Sequence, residues 1–295
     1  MNLKEFAPHV VNRINDFMSD YLDGMDDEVP ELKEAVRYGL LLGGKRARPL
    51  LVYATGMALG QEERILDYPA AAIECIHAYS LIHDDMPEMD NDKLRRGHDT
   101  VHIKYGQDGA LLAGDTLQAL AFQILSDERS GLSDRAVVLL TRILSVRAGY
   151  SGMCGGQSLD LGAEKRHIAL DELKLLHSKK TGALIRAAVM MGAMSADHVS
   201  PKTLEALDEY ARWTGLAFQV WDDVLDVIGE TAKLGKIAGA DEFLEKSTYP
   251  SLIGLDKAKT YAEECAHKAI DAVGVLNIDS SLLCEFAEFT VTRDH

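Results

Sequence analysis

The sequence predicts an all-α protein built as one large helical bundle, and three observations carry that prediction. Apolar residues recur three and four apart through residues 66–83, 111–125, 136–146, 173–194 and 204–228, the period of a helix with a face in a core. Several of these stretches are apolar nearly all round, as the central helices of a bundle must be. No segment shows the sustained alternation, rich in β-branched residues, that a half-buried strand requires.

Taken in chain order, Gly43-Gly44 leads into a basic helix start. The helix over 66–83 buries Ala70, Ile73, Ile76, Ala78, Leu81 and Ile82 on helical spacing. Gly97, Gly131 and Gly155-Gly156 fall between periodic blocks and mark turns. Ser200-Pro201 opens the helix over 204–228, with serine as N-cap and proline at the first helical position. Gly235 and Gly239 punctuate the chain after it. No stretch reads as a linker or as low complexity, so residues 1–295 read as one domain of about ten or more helices.

Composition narrows the function. The net charge is −16, with 47 acidic against 31 basic residues, which argues against a nucleic-acid binder, because phosphate contacts need Lys and Arg. Cys75, Cys154, Cys265 and Cys284 form no CxxC pair, which argues against zinc and disulfides and suits a reducing cytosol. The N-terminal MNLKEFAPHV lacks a signal-peptide core, and no apolar run reaches the roughly 18 residues of a membrane span. These features read as cytoplasmic.

Two segments repeat a theme. Asp84-Asp85 with Asp90, and Asp222-Asp223 with Asp226, each follow a strongly apolar helix. Asp222 and Asp226 share a helix face, where like charges repel and burial without partners is costly; a cation or a wet acidic turn both relieve this. Pro87 lies between Asp85 and Asp90. It either widens the turn and brings Asp90 back towards Asp84, or simply ends the helix and leaves the acids in solvent. Together the clusters offer the hard oxygen ligands that Mg²⁺ prefers, shared with substrate phosphates. Lys45, Arg46 and Arg48 on the glycine-led helix start, and Arg95-Arg96 after the first cluster, suit a second, metal-free anion site. Lys179-Lys180-Thr181 and Lys236 are further candidates. His77, seven residues before Asp84, is either part of this site or a satisfied core histidine.

The chain resembles the bacterial-type farnesyl diphosphate synthases of the short-chain trans-isoprenyl diphosphate synthase family. The matching segments are GGKRARP (43–49), ECIHAYSLIHDDMPEMDNDKLRRG (74–97), GGQSLDL (155–161), HSKKTGALI (177–185), FQVWDDVLDVIGE (218–230), GKIAGAD (235–241) and KSTYP (246–250). The four residues between Asp85 and Asp90 match the longer first acidic motif of bacterial members. The resemblance implies a helical bundle of the isoprenoid synthase type, with a central active-site cavity, that joins isopentenyl diphosphate to an allylic diphosphate.

It further implies that Asp84, Asp85, Asp90, Asp222, Asp223 and Asp226 hold three Mg²⁺ ions, Mn²⁺ being an alternative, around the allylic diphosphate. Arg95, Lys180 and Lys236 then contact that diphosphate, and Lys45, Arg48, His77 and Arg96 hold isopentenyl diphosphate. Thr181 and Gln219 line the allylic site; Gln157 and Asp160 match the polar pair of the central motif. Tyr79 lies about 7–8 Å below Asp84 along the helix; its ring is either a floor to the tail pocket or plain core packing. Tyr79 and its neighbour Ser80 are the chain-length candidates, and an aromatic residue at position 79 goes with a C15 product in such enzymes. A homodimer is the family expectation.

Departures from the family pattern are Ala47, Asn91, Lys93, Trp221 and Ile237-Ala238. Of these, Trp221 beside Asp222 bears on the allylic site. Arg293-Asp294-His295 resembles the basic tail that closes over substrate. Rival readings are a synthase stopping at C10 or C20 and a non-catalytic subunit of a hetero-oligomeric synthase. The latter is expected to lose an acidic motif, and here both are complete.

Overall fold

Helix α1 (Leu3–Asp23) begins where Asn2 and Glu5 close a capping box, each side chain accepting from the other's backbone N–H. The structure, a computed structural model, describes residues 1–163, 166–229 and 247–294. After α1 come α2 (Pro30–Leu41), α3 (Ala47–Ala58), α4 (Glu63–Asp84), α5 (Val101–Leu125), α6 (Asp134–Ala148), α7 (Met153–Ala163), α8 (Leu170–Lys180), α9 (Gly182–Met194) and α10 (Pro201–Ile228). Beyond the undescribed segment lie α11 (Tyr249–Ile253), α12 (Leu255–Gly274) and α13 (Ser281–Thr292). The all-α expectation is met.

The two helices that end in acidic motifs are held from several sides. On α4, Ala70, Ala71, Ala72, Ile73, Cys75 and Ile76 are fully buried, and the helix packs on α5 and α3. Helix α10 packs on α12 and α9. Its start is capped as expected, Ser200 Oγ accepting from the Thr203 N–H at 3.1 Å with Pro201 in the first helical position. Rigid, buried helices thus fix where both motifs emerge.

Three details differ from the sequence expectation. The periodic stretch 173–194 is two helices, because Thr181 (φ −106°, ψ −48°) breaks it between α8 and α9. Gly155 and Gly156 lie inside α7 rather than between elements. A Cβ on Gly156 would sit 2.1 Å from the Lys180 backbone nitrogen, so the glycine serves close helix approach, not a turn. Between α4 and α5 there is also a small antiparallel hairpin, β1 (Leu94–Arg95) with β2 (His98–Asp99). Its turn residues Arg96 and Gly97 both have positive φ, as a tight two-residue turn demands. Two-residue strands are too short to leave an alternation in the sequence.

Gly235, Gly239, most of the segment around Lys236, and His295 lie outside the described residues. Among the described residues no helix is long and apolar enough to cross a membrane.

Candidate active site

Helix α4 ends at Asp84, and the chain then folds back on itself. The Asp90 N–H donates to the Asp84 carbonyl at 2.9 Å, and the Asn91 N–H to the Met86 carbonyl at 3.0 Å. Pro87 therefore both ends the helix and shapes a wide turn that returns Asp90 to Asp84. The Asp84 carboxyl is pushed up to about 6, first by burial and then by Asp90 and Asp85, against the opposing pull of Lys180 and Arg95. Asp85 is buried and held by Arg95, whose Nε and Nη2 reach its carboxylate at 2.8 and 2.5 Å.

The second motif is occupied differently. Asp222 Oδ1 takes a hydrogen bond from Arg293 Nη2 at 2.5 Å, and the Arg293 guanidinium also stacks on the Phe218 ring at 4.2 Å. Asp223 is buried and accepts from the Tyr249 N–H at 2.9 Å, tethering the start of α11. Asp226 is buried one turn further along the same helix. The Trp221 indole donates to the Arg293 carbonyl at 3.0 Å. The residue expected to bear on the allylic site thus anchors Arg293, the partner of Asp222.

Lys45, Arg48 and Arg96 form a basic group, with Lys45 and Arg48 within electrostatic reach of Asp222 and Arg96 of Asp85. The Arg48 Nε is buried without a hydrogen-bond partner, and burial lowers its pKa. Arg96 donates to the Gly43 carbonyl. A Cβ on Gly44 (φ +120°) would lie 2.6 Å from that guanidinium, so the bare glycine makes room for it. Lys45 is exposed beside them. Arg46 does not join this group. It is 4% exposed, bonded to Glu74 at 2.7 Å, to the Leu40 carbonyl at 2.9 Å and to Asn15 at 3.0 Å. Of the three cations read from GGKRARP, this one is structural. His77 is held well below its ordinary pKa, chiefly by burial and then by Arg48, Arg96 and Arg95, so it is a neutral imidazole at pH 7.

A cleft of about 410 Å³ runs beside these groups. Arg48, His77 and Asp84 line it, with Tyr79 and Ser80 from α4, Cys154 and Gln157 from α7, and Lys180 and Thr181 at the break between α8 and α9. Lys180 donates to Asp160 at 2.5 Å, and Ser80 Oγ donates back to the His77 carbonyl at 2.9 Å. Gln219, half-buried on α10 one turn before Asp222, is not among the residues lining this cleft. Lys236 lies outside the described residues.

Sequence reasoning missed Cys154, whose Sγ sits 3.4 Å from the Tyr79 hydroxyl, and Glu74, which neutralises Arg46. Only the quoted segment ECIHAYS, which carries Glu74, signalled either.

Among the described residues, no three His, Cys, Asp or Glu side chains converge to enclose a metal by themselves. The donors still fit a hard divalent cation that completes its coordination with phosphate oxygens. Asp84 is a half-buried carboxyl crowded by two others, and a divalent cation relieves the cost of ionising it.

Known proteins resemble the chain over nearly its full length. The Polyprenyl synthetase family model matches residues 29–275. The farnesyl diphosphate synthase of Escherichia coli is 49% identical over 288 residues, covering 96% of each chain. The geranyltransferase of Legionella pneumophila superposes with a TM-score of 0.87 at 33% identity, over 99% of this chain and 97% of that one. A geranyltransferase from Helicobacter pylori, solved in complex with magnesium and isoprenyl diphosphate, gives 0.83 at 33% identity over 97% and 95%.

Proposed function

Because this chain belongs to the polyprenyl synthetase family, we propose that it condenses isopentenyl diphosphate with dimethylallyl and then geranyl diphosphate, giving farnesyl diphosphate and releasing diphosphate. The observation that carries the reading is one cleft lined by both kinds of group: Arg48, with a buried and unpartnered Nε, and Asp84, crowded by acids. A diphosphate binds directly to the arginine by forked, charge-assisted hydrogen bonds. At the carboxylate it needs a cation in between.

Lys45, Arg48 and Arg96 hold isopentenyl diphosphate. Neutral His77 adds a hydrogen bond without adding charge. Asp84, Asp85 and Asp90 with Asp222, Asp223 and Asp226 are the residues that would hold Mg²⁺, three ions with substrate bound, or Mn²⁺. Bound there, the metal supplies electrostatic stabilisation to the leaving diphosphate. Arg95, Lys180 and Lys236 take up charge on the same group. Lys180, poised on Asp160, and Arg95, poised on Asp85, exchange a protein carboxylate for phosphate oxygens when substrate arrives.

As the allylic C–O bond breaks, the Thr181 oxygen faces the cationic carbon fragment; Gln219, which does not line the cleft, takes no part in this step. The isopentenyl double bond, held within reach by the basic group, attacks it. A proton leaves the new C–C unit, and the departing diphosphate is its acceptor. The tail extends down α4 towards Tyr79 and Ser80, the floor that stops growth at C15. The helical walls exclude water that would quench the cation.

The same reading takes residues 1–295 as one cytoplasmic domain and the enzyme as a homodimer. Leu111 and Leu112 on α5, and Val138 and Val146 on α6, are large apolar side chains at or above 47% exposure, a surface that a second copy would cover. The deciding assay uses purified protein, Mg²⁺, isopentenyl diphosphate and either primer, with dephosphorylated products sorted by length. A C15 alcohol that disappears with EDTA is the expected outcome. A C10 or C20 product overturns the floor but keeps the chemistry. No turnover with either primer overturns the stand-alone enzyme and favours a non-catalytic subunit.

A further inference from the structure

We propose that Cys154 is a positioning residue for product length: its thiol holds the Tyr79 ring across the tail cleft, and losing that hold lengthens the product. The inference rests on reading this cleft as the prenyl-tail pocket.

Tyr79 is 7% exposed, and a buried phenol hydroxyl without a partner is costly. Its partner is Cys154 Sγ at 3.4 Å, within the range of a hydrogen bond to sulfur. The Gln118 side chain of α5 lies beside the same hydroxyl, so the ring tip is where α4, α5 and α7 meet. The ring edge packs on His83 at 5.8 Å and 75°. That contact fixes the ring's side and leaves its tip to be fixed by the hydroxyl.

Cys154 is well placed to act on the tail as well as on the ring. It lines the cleft, and it alone of the four cysteines is exposed. Its reach is set by the backbone two residues later. Gly156 lies so close to Lys180 that a Cβ would be 2.1 Å from the Lys180 nitrogen and 2.5 Å from its Cα. Helix α7 therefore cannot slide towards α8, and the short thiol is held one hydrogen bond from the tyrosine. A tyrosine ring has alternative staggered orientations about χ1. The thiol selects the one that crosses the cleft, and release admits an orientation that leaves the cleft deeper.

The test measures the C20-to-C15 product ratio at saturating substrates for Cys154→Ala, Cys154→Ser, Tyr79→Phe, Tyr79→Ala and the Cys154→Ala/Tyr79→Phe double variant. Cys154→Ala should raise the ratio by about five-fold, the factor that about 1 kcal/mol of lost restraint gives, and Tyr79→Phe, which also gives up the Gln118 contact, by at least as much. The double variant should add nothing to Tyr79→Phe, since the thiol acts only through that hydroxyl. Cys154→Ser, which keeps an acceptor, should retain the original ratio. Because the readout is a partition between products, a variant that merely folds less well lowers both products and leaves the ratio unmoved. If Tyr79→Ala lengthens the product while Cys154→Ala does not, the brace is wrong and the floor stands. If Tyr79→Ala leaves the product unchanged, the floor is wrong and the brace falls with it. An inactive parent enzyme overturns the proposed reaction itself.

Discussion

Arg293 Nη2 lies 2.5 Å from Asp222 Oδ1, which places a C-terminal cation on a carboxylate of the second acidic motif. The two residues are 71 positions apart in the chain. The pair is anchored from both sides, by the Trp221 indole on the Arg293 carbonyl and by the Phe218 ring under the guanidinium.

A carboxylate so paired must exchange its guanidinium for a metal before it can serve as a ligand. Replacing Arg293 by Gln should therefore lower the Mg²⁺ concentration needed for half-maximal activity by about five-fold, the effect of about 1 kcal/mol for a partly exposed pair. A titration of activity against free Mg²⁺ checks this. An unchanged or raised requirement would mean that Arg293 does not compete with the metal.

Arg46 and Arg48 are two residues apart and should respond oppositely to mutation. Glu74→Ala leaves the buried Arg46 guanidinium without its counter-charge and should cost roughly 3–5 kcal/mol of stability. Arg48→Ala removes a cation with no hydrogen-bonded carboxylate and should leave stability near that of the parent. It should instead raise the KM for isopentenyl diphosphate by roughly 10- to 100-fold, the range for a charge-assisted bond of about 1.5–3 kcal/mol. Urea denaturation and steady-state kinetics on both variants separate the roles; matching profiles would remove the distinction.

That distinction marks the limit of what was legible in the sequence. The helices were readable because burial of one or more faces imposes the helical period on the residues themselves, as in α4 and α10. The break at Thr181 was not, since both sides of it are equally apolar and the period carries across. In the site, residue types and order revealed the acidic and basic groups. The pairing of Arg46 with Glu74, Arg95 with Asp85, and Asp223 with the Tyr249 N–H was hidden. Those partners depend on how helices cross, and local spacing holds no record of that. The same holds for Cys154, which meets Tyr79 across 75 residues.

His177 gives the stability a pH dependence. Burial lowers its pKa to about 4, and its ring packs on Tyr249 at 5.6 Å. The folded state therefore binds fewer protons than the unfolded state between about pH 4 and 6.5. Stability from this group is complete above about pH 6.5 and is lost as pH falls towards 4, by at most about 3 kcal/mol. Replacing His177 by Gln should flatten the stability profile over that window in denaturant titrations at stepped pH. A slope equal to that of the parent would assign the acid sensitivity to other groups.

Gly156 is the position where stability and activity should part most clearly. An added Cβ meets the Lys180 nitrogen at 2.1 Å and the Lys179 carbonyl carbon at 2.7 Å, and both belong to backbone, so no side chain can swing away. Helix α7 must retreat from α8, at a cost of about 1–3 kcal/mol for overpacking. The same retreat carries Asp160 away from Lys180, which it now holds at 2.5 Å, and so displaces the cation expected on the leaving diphosphate. A misplaced group of this kind costs about 100-fold in rate even when the fold survives. Gly156→Ala should thus remain folded at 25 °C by circular dichroism while kcat drops by about that factor. Retained kcat in the folded variant would show that Lys180 finds its place without the close helix contact.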